Sequence, residues 1–369
     1  MLPASYDDSR ARFRGRLAEL QARWPTARLH SHALRDDPEL TIDWIVAEPR
    51  ERPAKLLMLT TGLHGAEGHV GAAMLELFVE TFAPQLDPAE VGLLLVHAIN
   101  PWGMRHGRRV NAANVDLNRN WRLDVTEPAP AAPDYAALND FLNPRGPIER
   151  LGVTRLGFFA GLLRRLIGAG TGRIKAATLM GQYDFPEGIY YGGVELQEES
   201  RVLLGLYEEH LDRYAAGRVV HIDIHTGYGP RDQMSIVNSA LDPRDPAELR
   251  RRVDYPLILR ANPAEFYAIH GDMLDSVNAL VQQRGLTERV YATTFEFGTV
   301  GDSLPALIHS LITMVLENRL WRFGGSDAAR AVIGRDFREL FAPSDPAWLV
   351  KAQADANRAL GGILRAEGF

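Results

Sequence analysis

The chain has 369 residues, of which 46% are hydrophobic and 24% charged, as in an ordinary globular protein with a sizeable core. Its formal net charge of −6 argues against a nucleic-acid-binding protein, which usually carries a basic surplus. There are no cysteines, so disulfides, thiolate zinc sites and cysteine nucleophiles are excluded. We expect a cytoplasmic protein with no signal peptide and no membrane-spanning segment.

Short apolar runs alternate with segments of helical periodicity along the chain. A first amphipathic helix is predicted over residues 8–23, where apolar residues recur at helical spacing among charges. The apolar runs predict buried strands at 56–62, 92–101, 219–227, 233–239 and 289–298. Helices are predicted between or after them at 68–82, 155–167, 197–216, 272–284 and 303–322. This alternation predicts an α/β fold with an open, mostly parallel (mixed) twisted sheet and helices on both faces.

Three other segments complete the predicted organisation. Residues 124–147 contain five prolines and are predicted to form a long surface loop. Segment 181–195 is irregular and rich in Gly and Tyr. We expect one catalytic domain over residues 1–323, with residues 324–369 forming a helical extension packed on it.

Polar residues follow three of the predicted strands. His64 and Glu67 come after the first strand, His225 lies at the end of a later one, and Glu296 ends the last. Because open α/β sheets bind ligands at the carboxyl ends of their strands, these side chains are expected to converge. Two His and one Glu form a known catalytic zinc ligand set, and a free carboxylate beside it suits a general base. The sequence therefore predicts one zinc per chain held by His64, Glu67 and His225, with Glu296 as base.

Residues 108–120 concentrate three Arg, four Asn and one Asp in thirteen positions. Arginine can stabilise an oxyanion or clamp a substrate carboxylate. Alone, each of these features has a simpler structural interpretation: a hydrogen-bonded core His225, an ion-paired Glu296, a solvated Arg/Asn loop. Their joint occurrence at strand ends favours an active site.

The order of these motifs resembles that of the carboxypeptidase A-like zinc metallopeptidases, in particular a bacterial branch, and more distantly the succinylglutamate desuccinylase/aspartoacylase group. The resemblance covers roughly residues 50–320, and Asp-Leu-Asn-Arg-Asn is its most specific part. The matching motifs are His64-x-x-Glu67, Asn100-Pro-Trp-Gly103, Asp116-Leu-Asn-Arg-Asn120, Asp223-Ile-His225 and Thr294-Phe-Glu296. The resemblance implies a zinc carboxypeptidase-like fold.

The resemblance also implies roles for individual residues. Arg109 would polarise the scissile carbonyl, and Asp116 would accept a hydrogen bond from His64 and fix its tautomer. Asn118 and Arg119 would hold a substrate carboxylate, and Arg108 is a further candidate for substrate binding.

The implied function is zinc-dependent hydrolysis of an amide, either a peptide or an N-acyl bond, in a substrate with a carboxylate. A nucleic-acid or membrane partner is not expected, and a homo-oligomer remains open. One alternative is an N-acyl amino acid deacylase of the aspartoacylase type. Two others are a non-catalytic ligand-binding protein on the same fold and a non-haem iron oxygenase, since two His and a carboxylate also suit Fe(II).

One family feature is absent at its usual place. The family's peptidases carry a mobile Tyr roughly twenty residues before the catalytic Glu, and residues 270–289 contain no Tyr. Tyr267 is poorly spaced for this role. Candidates from the irregular segment are Tyr183, Tyr190 and Tyr191.

Two features are interpreted as structural. Gly301-Asp-Ser-Leu304 spells a serine-hydrolase signature, but its position before Pro305 predicts that Ser303 caps a helix. Among the other histidines, only His221 shares the strand and face of His225.

Overall fold

The computed structural model describes residues 1–123, 127–261 and 269–369. The helices are α1 (Tyr6–Gln21), α2 (Gly68–Thr81), α3 (Pro101–His106), α4 (Pro133–Leu142), α5 (Leu151–Leu179), α6 (Glu198–Arg213), α7 (Pro246–Val253), α8 (Met273–Gln283), α9 (Leu304–Phe323), α10 (Asp327–Phe341) and α11 (Pro346–Glu367). The strands are β1 (Arg28–Ala33), β2 (Thr41–Ala47), β3 (Lys55–Thr61), β4 (Val91–His97), β5 (Arg218–Thr226), β6 (Met234–Asn238), β7 (Ile258–Arg260) and β8 (Val290–Phe297).

The strands form one mixed sheet in the order β1-β2-β4-β3-β5-β8-β6-β7. The four central strands, β4, β3, β5 and β8, run parallel to one another. Antiparallel pairing occurs toward the edges, between β1 and β2, β2 and β4, and β6 and β8. The predicted fold class, an open and mostly parallel α/β sheet, is confirmed.

Hydrophobic side chains pack on both faces of this sheet, because successive strand residues point to opposite sides. On β3, Leu57 and Leu59 join a core built with α2 and α11. Leu56 and Met58 join the opposite core, which includes residues of α6 and α8. The sheet therefore supports two layers of helices, and the carboxyl ends of its central strands remain available for a site.

A third cluster is built from α4, α5, α9 and α10. The prediction of a loop over residues 124–147 is wrong for the stretch that forms α4, Pro133–Leu142. Its proline stands at the helix start, where no N–H bond is lost. The buried side chains Tyr135, Leu138, Phe141 and Leu142 recur at helical spacing. The prolines around α4 obscured this short amphipathic pattern.

Other element boundaries also differ from the predictions. The strand predicted over 92–101 ends at His97, since Asn100 accepts a hydrogen bond from Gly103 N and caps α3. The helix predicted over 155–167 extends over Leu151–Leu179. Strands β1, β2 and β7 were not predicted; β1, with the sequence RLHSHA, is mostly exposed and lacks an apolar run.

Two helices follow Gly324. Trp348 and Ile363 of α11 belong to the same core as the central strands, and the Trp348 indole donates a hydrogen bond to the Gly298 carbonyl. The division of the chain into 1–323 and 324–369 stays a prediction. At the start of α9, Ser303 accepts a hydrogen bond from Ala306 N, which confirms the capping interpretation of the Gly-Asp-Ser-Leu sequence. Within the described residues, no helix has the length and apolar character needed to cross a bilayer.

His97, at the end of β4, gives the fold a pH dependence. Its ring stacks on Phe13 with centroids 5.2 Å apart, and its Nε2 lies 2.8 Å from Ser9 Oγ. Burial lowers the pKa of His97 to about 4, although the nearby charge of Asp43 opposes this shift. An unfolded chain would bind the proton near pH 6.5. The stability contributed by neutral His97 is therefore complete above about pH 6.5 and is lost as the pH falls toward 4.

We expect the free energy of unfolding to fall by about 3 kcal/mol less between pH 7 and pH 4 in His97→Asn than in the wild type. The measurement is urea denaturation at both pH values, with a chelator present throughout to remove any metal linkage. His309→Asn, at an exposed position on α9, is the matched control. Equal pH dependence in the wild type and His97→Asn would contradict the assignment.

Candidate metal centre and pocket

The turn after β3 places His64 and Glu67 side by side. Gly62 leaves the strand with a positive φ of 70°, a conformation that favours glycine. A Cβ at Gly65 would lie 2.1 Å from the backbone carbonyl carbon of Gly103, so only glycine permits this close approach. The turn then passes through a short 3₁₀ segment, Gly65–Glu67, into α2. Both candidate ligands are thereby fixed at the carboxyl end of β3.

The structure brings the three predicted metal ligands together. His64 Nδ1 lies 2.7 Å from Glu67 Oε1, and His225 Nδ1 lies 3.1 Å from Glu67 Oε2. The ligand atoms that the three residues offer all lie within 4.8 Å of one another, and all three side chains are buried. Among the described residues, this is the only cluster of at least three His, Asp or Glu side chains with such geometry.

On the side of the ring away from Glu67, each imidazole contacts a carboxylate. His64 Nε2 lies 3.0 Å from Asp116 Oδ1, and His225 Nε2 lies 2.5 Å from Asp223 Oδ2. A carboxylate accepts hydrogen bonds, so a proton on each Nε2 would be held by these contacts, and the Nδ1 atoms would be left to bind a cation beside Glu67. A cation between them would take the place of the protons shared with Glu67 and would bind the two Nδ1 atoms and the carboxylate. Two imidazoles and a carboxylate are a donor set that zinc fits.

The charges around the cluster keep its carboxylates ionised. Burial by itself would raise the pKa of Glu67, but His64 and His225 lower it well below its usual value. Burial likewise opposes ionisation of Asp116, and the guanidinium groups of Arg109 and Arg119 hold its pKa well below the usual range. The centre is therefore a buried, negatively charged set of oxygen atoms with histidines between them.

Glu296 lies beside this centre because of the strand register. In the parallel pair β5–β8, His225 stands opposite Glu296. The Glu296 carboxylate accepts a hydrogen bond from Tyr228 N at 3.0 Å. Burial raises the pKa of Glu296 to about 7; Glu67 adds to this shift and His225 opposes it. A carboxyl group that titrates near neutral pH suits a general base.

Arg109, Asn118 and Arg119 also line the pocket. Arg109 Nη1 lies 3.3 Å from Glu67 Oε1, and Arg109 Nε lies 3.1 Å from Asp116 Oδ2. The Asn118 amide donates to Asp272 Oδ2 at 3.0 Å. Arg119 Nη1 lies 2.5 Å from Asp116 Oδ2. Both arginines contact Asp116, which in turn contacts His64 of the turn after β3.

The structure does not bring Arg108 to the pocket. Its Nε donates to Glu317 at 2.7 Å, and its guanidinium lies 4.8 Å from the centre of the Trp321 ring. Arg109 therefore faces the centre, whereas Arg108 faces α9. Its ion pair with Glu317 joins the segment to α9, and a substrate contact of Arg108 stays a prediction.

Of the three tyrosines proposed from segment 181–195, Tyr190 lines the pocket. It adopts a positive φ of 60°, which is uncommon for a residue other than glycine, and the Arg119 guanidinium lies 4.9 Å from the centre of its ring. The Tyr183 hydroxyl instead donates to the Arg119 carbonyl at 2.7 Å. The Tyr191 backbone carbonyl accepts from Asp116 N. Tyr267 falls outside the described residues.

The cavity around these residues has a volume of about 340 Å³. Sequence reasoning missed two groups of its lining. One is acidic: Asp272, at the start of α8, has its pKa raised to about 6 by burial and by the neighbouring Asp275. The other is apolar and comes mainly from α9, whose pocket-lining residues follow helical spacing: Leu304, Leu307, Ile308, Leu311 and Met314. The helical spacing of these residues is visible in the sequence, but it does not show that this face of α9 lines the cavity.

A hydrogen-bonded chain behind His225 was also not predicted. Thr60 Oγ1 donates to Asp223 Oδ1 at 2.6 Å, and His221 Nε2 lies 3.0 Å from Thr60 Oγ1. The Tyr207 hydroxyl lies 3.0 Å from the same His221 nitrogen. His221 is therefore part of the support of Asp223, and it does not belong to the ligand cluster.

The chain resembles several solved metallocarboxypeptidases at low identity. It is 15% identical to carboxypeptidase A from Helicoverpa armigera, covering 92% of this chain and 74% of that chain, with a TM-score of 0.44. It is 15% identical to a metallo-carboxypeptidase from Burkholderia cenocepacia (94% and 69% covered, TM-score 0.41). Bovine thrombin-activatable fibrinolysis inhibitor, solved with tick carboxypeptidase inhibitor, is 12% identical (91% and 95% covered, TM-score 0.47). No curated protein matches the sequence.

The fold and the site define an open α/β protein with a candidate metal centre at the carboxyl ends of its central strands. The chain belongs to the family described as "Protein of unknown function (DUF2817)", whose model matches residues 3–354. At this degree of similarity, the function has to be inferred from the site itself.

The support of Asp223 leads to a test of metal binding. Thr60→Val keeps the shape of the side chain and removes the hydroxyl that orients Asp223, and through it His225. We expect zinc affinity to fall about 10- to 100-fold, as for other residues that orient a metal ligand. Competition with a chromogenic chelator measures this affinity independently of any catalysis.

The matched control is Thr293→Val, a buried threonine on β8 whose hydroxyl bonds Val237 and Asn238. It should bind zinc as tightly as the wild type does. If Thr60→Val also retains wild-type affinity, Thr60 has no part in positioning the ligands.

Proposed function

We propose that the protein is a zinc-dependent hydrolase that cleaves an amide bond, peptide or N-acyl, in a small substrate carrying a carboxylate. The observation that carries the proposal is the convergence of His64, Glu67 and His225 with Glu296 opposite His225 in the strand register. Four side chains from three strand ends meet in one pocket, and each has the chemistry that its role needs.

Zinc bound by this cluster would supply a Lewis acid and an activated water. Glu296 would accept the proton from the attacking water and pass it to the leaving nitrogen, as a general base and then a general acid. Arg109, which reaches Glu67 and Asp116, would stabilise the negative charge that develops on the carbonyl oxygen. Asn118 and Arg119 would face the substrate carboxylate.

The size of the cavity favours small amides, including N-acyl amino acids. Arg119 and Asn118 are both tied to protein carboxylates, so a substrate carboxylate would bind next to already paired groups. Because the cavity suits a small amide, a deacylase of N-acyl amino acids is the second candidate. It would use the same residues. A panel of C-terminal peptides, N-acyl amino acids and γ-linked or D-amino-acid peptides distinguishes the two.

We expect the zinc-loaded protein to hydrolyse at least one class in this panel, and a chelator to abolish the reaction. Restoration by added zinc, with one metal per chain by elemental analysis, would link activity to the site. Bound zinc without turnover of any class would instead support a non-catalytic ligand-binding protein. Purification with iron and no zinc would favour the oxygenase alternative.

Glu296→Gln tests the assigned base. The amide keeps the shape of the side chain but cannot accept the proton, so kcat should fall at least about 100-fold. Zinc content should stay at one per chain, because Glu296 is not one of the three ligands. Glu187→Gln, an exposed change, should leave both unchanged. Wild-type turnover by Glu296→Gln would refute the mechanism.

A further inference from the structure

The cavity is divided between polar and apolar walls. The polar wall carries the metal cluster, Arg109, Arg119 and Asp272. The apolar wall comes from α5, α9 and α10 and consists of Leu162, Leu307, Ile308, Leu311, Met314 and Phe341. From Leu304 to Met314, α9 contains no Asp, Glu, Lys or Arg. A group that contacts this wall therefore meets hydrocarbon without a charged side chain on α9.

The apolar wall begins directly beside the metal-binding turn. Ala66, between the glycine of the turn and Glu67, packs in one cluster with Met314, Leu340 and Phe341. The Arg109 guanidinium lies 5.8 Å from the centre of the Phe341 ring. A substrate group attached close to the scissile carbonyl would thus reach Phe341 first and the α9 residues beyond it.

The wall is also held in place by its own packing. Leu311 and Leu162 belong to the buried cluster that joins α4, α5, α9 and α10. Leu307 and Ile308 are only partly buried, so they remain available at the cavity surface. On a preformed apolar surface of this kind, each ligand methylene that is removed from water makes the binding free energy more favourable.

We propose that this wall binds the acyl side of the substrate, and that the substrates are amides whose acyl group is a long or bulky hydrocarbon. The inference rests on the proposed function. In that function, Asn118 and Arg119 face the carboxylate-bearing side of the substrate, which leaves the α9 wall for the acyl side. Acetyl and formyl groups would leave the wall uncovered, whereas longer acyl chains would contact it.

The test uses N-acyl amino acids with one amino acid and acyl chains of two, four, six and eight carbons. Affinity is measured by calorimetry on zinc-loaded Glu296→Gln, and kcat/KM on the wild type. We expect affinity to rise about threefold per added methylene, and thus roughly 700-fold over the six methylenes from acetyl to octanoyl. Peptides with a large apolar residue on the acyl side form a second arm, which separates a lipid-like acyl group from an amino-acid side chain.

The variant Leu307→Ala tests whether the α9 wall contacts the acyl chain. Octanoyl affinity should fall about tenfold in this variant, while acetyl affinity stays within about twofold. The unchanged acetyl affinity shows that the protein remains folded. Leu156→Ala, an exposed leucine of α5 that does not line the cavity, is the matched control and should alter neither value.

Chain-length dependence that is flat in the wild type, or unchanged in Leu307→Ala, would overturn the inference even if hydrolysis occurs. Absence of hydrolysis together with strong chain-length dependence of binding would overturn the proposed reaction and keep the apolar subsite. The two failures are therefore distinguishable.

Discussion

The site depends on the two carboxylates that hold the imidazoles from behind. Asp116 and Asp223 fix Nε2 of His64 and His225, so both Nδ1 atoms point toward Glu67. Buried charges are costly unless they are paired. The surrounding arginines and hydroxyl groups provide this pairing, which explains why so many polar side chains are gathered beneath a small cavity.

The parallel strands at the centre of the sheet bring these polar side chains together in one pocket. Strands β3, β5 and β8 end at the same edge, so residues far apart in sequence become neighbours without long loops. At this edge, α5, α9 and α10 of the third cluster supply the apolar wall of the pocket, and α8 contributes further lining residues. The candidate metal cluster and the apolar wall thus come from different parts of the fold.

The sequence predicted the parts of the site that follow from strand ends. His64, His225 and Glu296 each close an apolar run, and parallel strands bring such residues together. It could not predict orientation in the segment after α3, where Arg108 and Arg109 look equivalent but face opposite directions. Nor could it predict α4, whose flanking prolines resemble those of a loop, or distinguish Tyr190, which has a positive φ, from the other two candidate tyrosines. These features are decided by tertiary contacts, which local patterns do not contain.

The two halves of the ligand cluster are distant in the chain, because His225 and Glu67 are 158 positions apart. Their donor atoms meet only when β3 and β5 are paired, so the unfolded chain has no comparable binding site. A cation held there would act as a cross-link between two central strands, and its binding free energy would add to the stability of the sheet. The protein's resistance to unfolding would then vary with the concentration of free metal in its surroundings, and metal supply would influence how long each molecule survives.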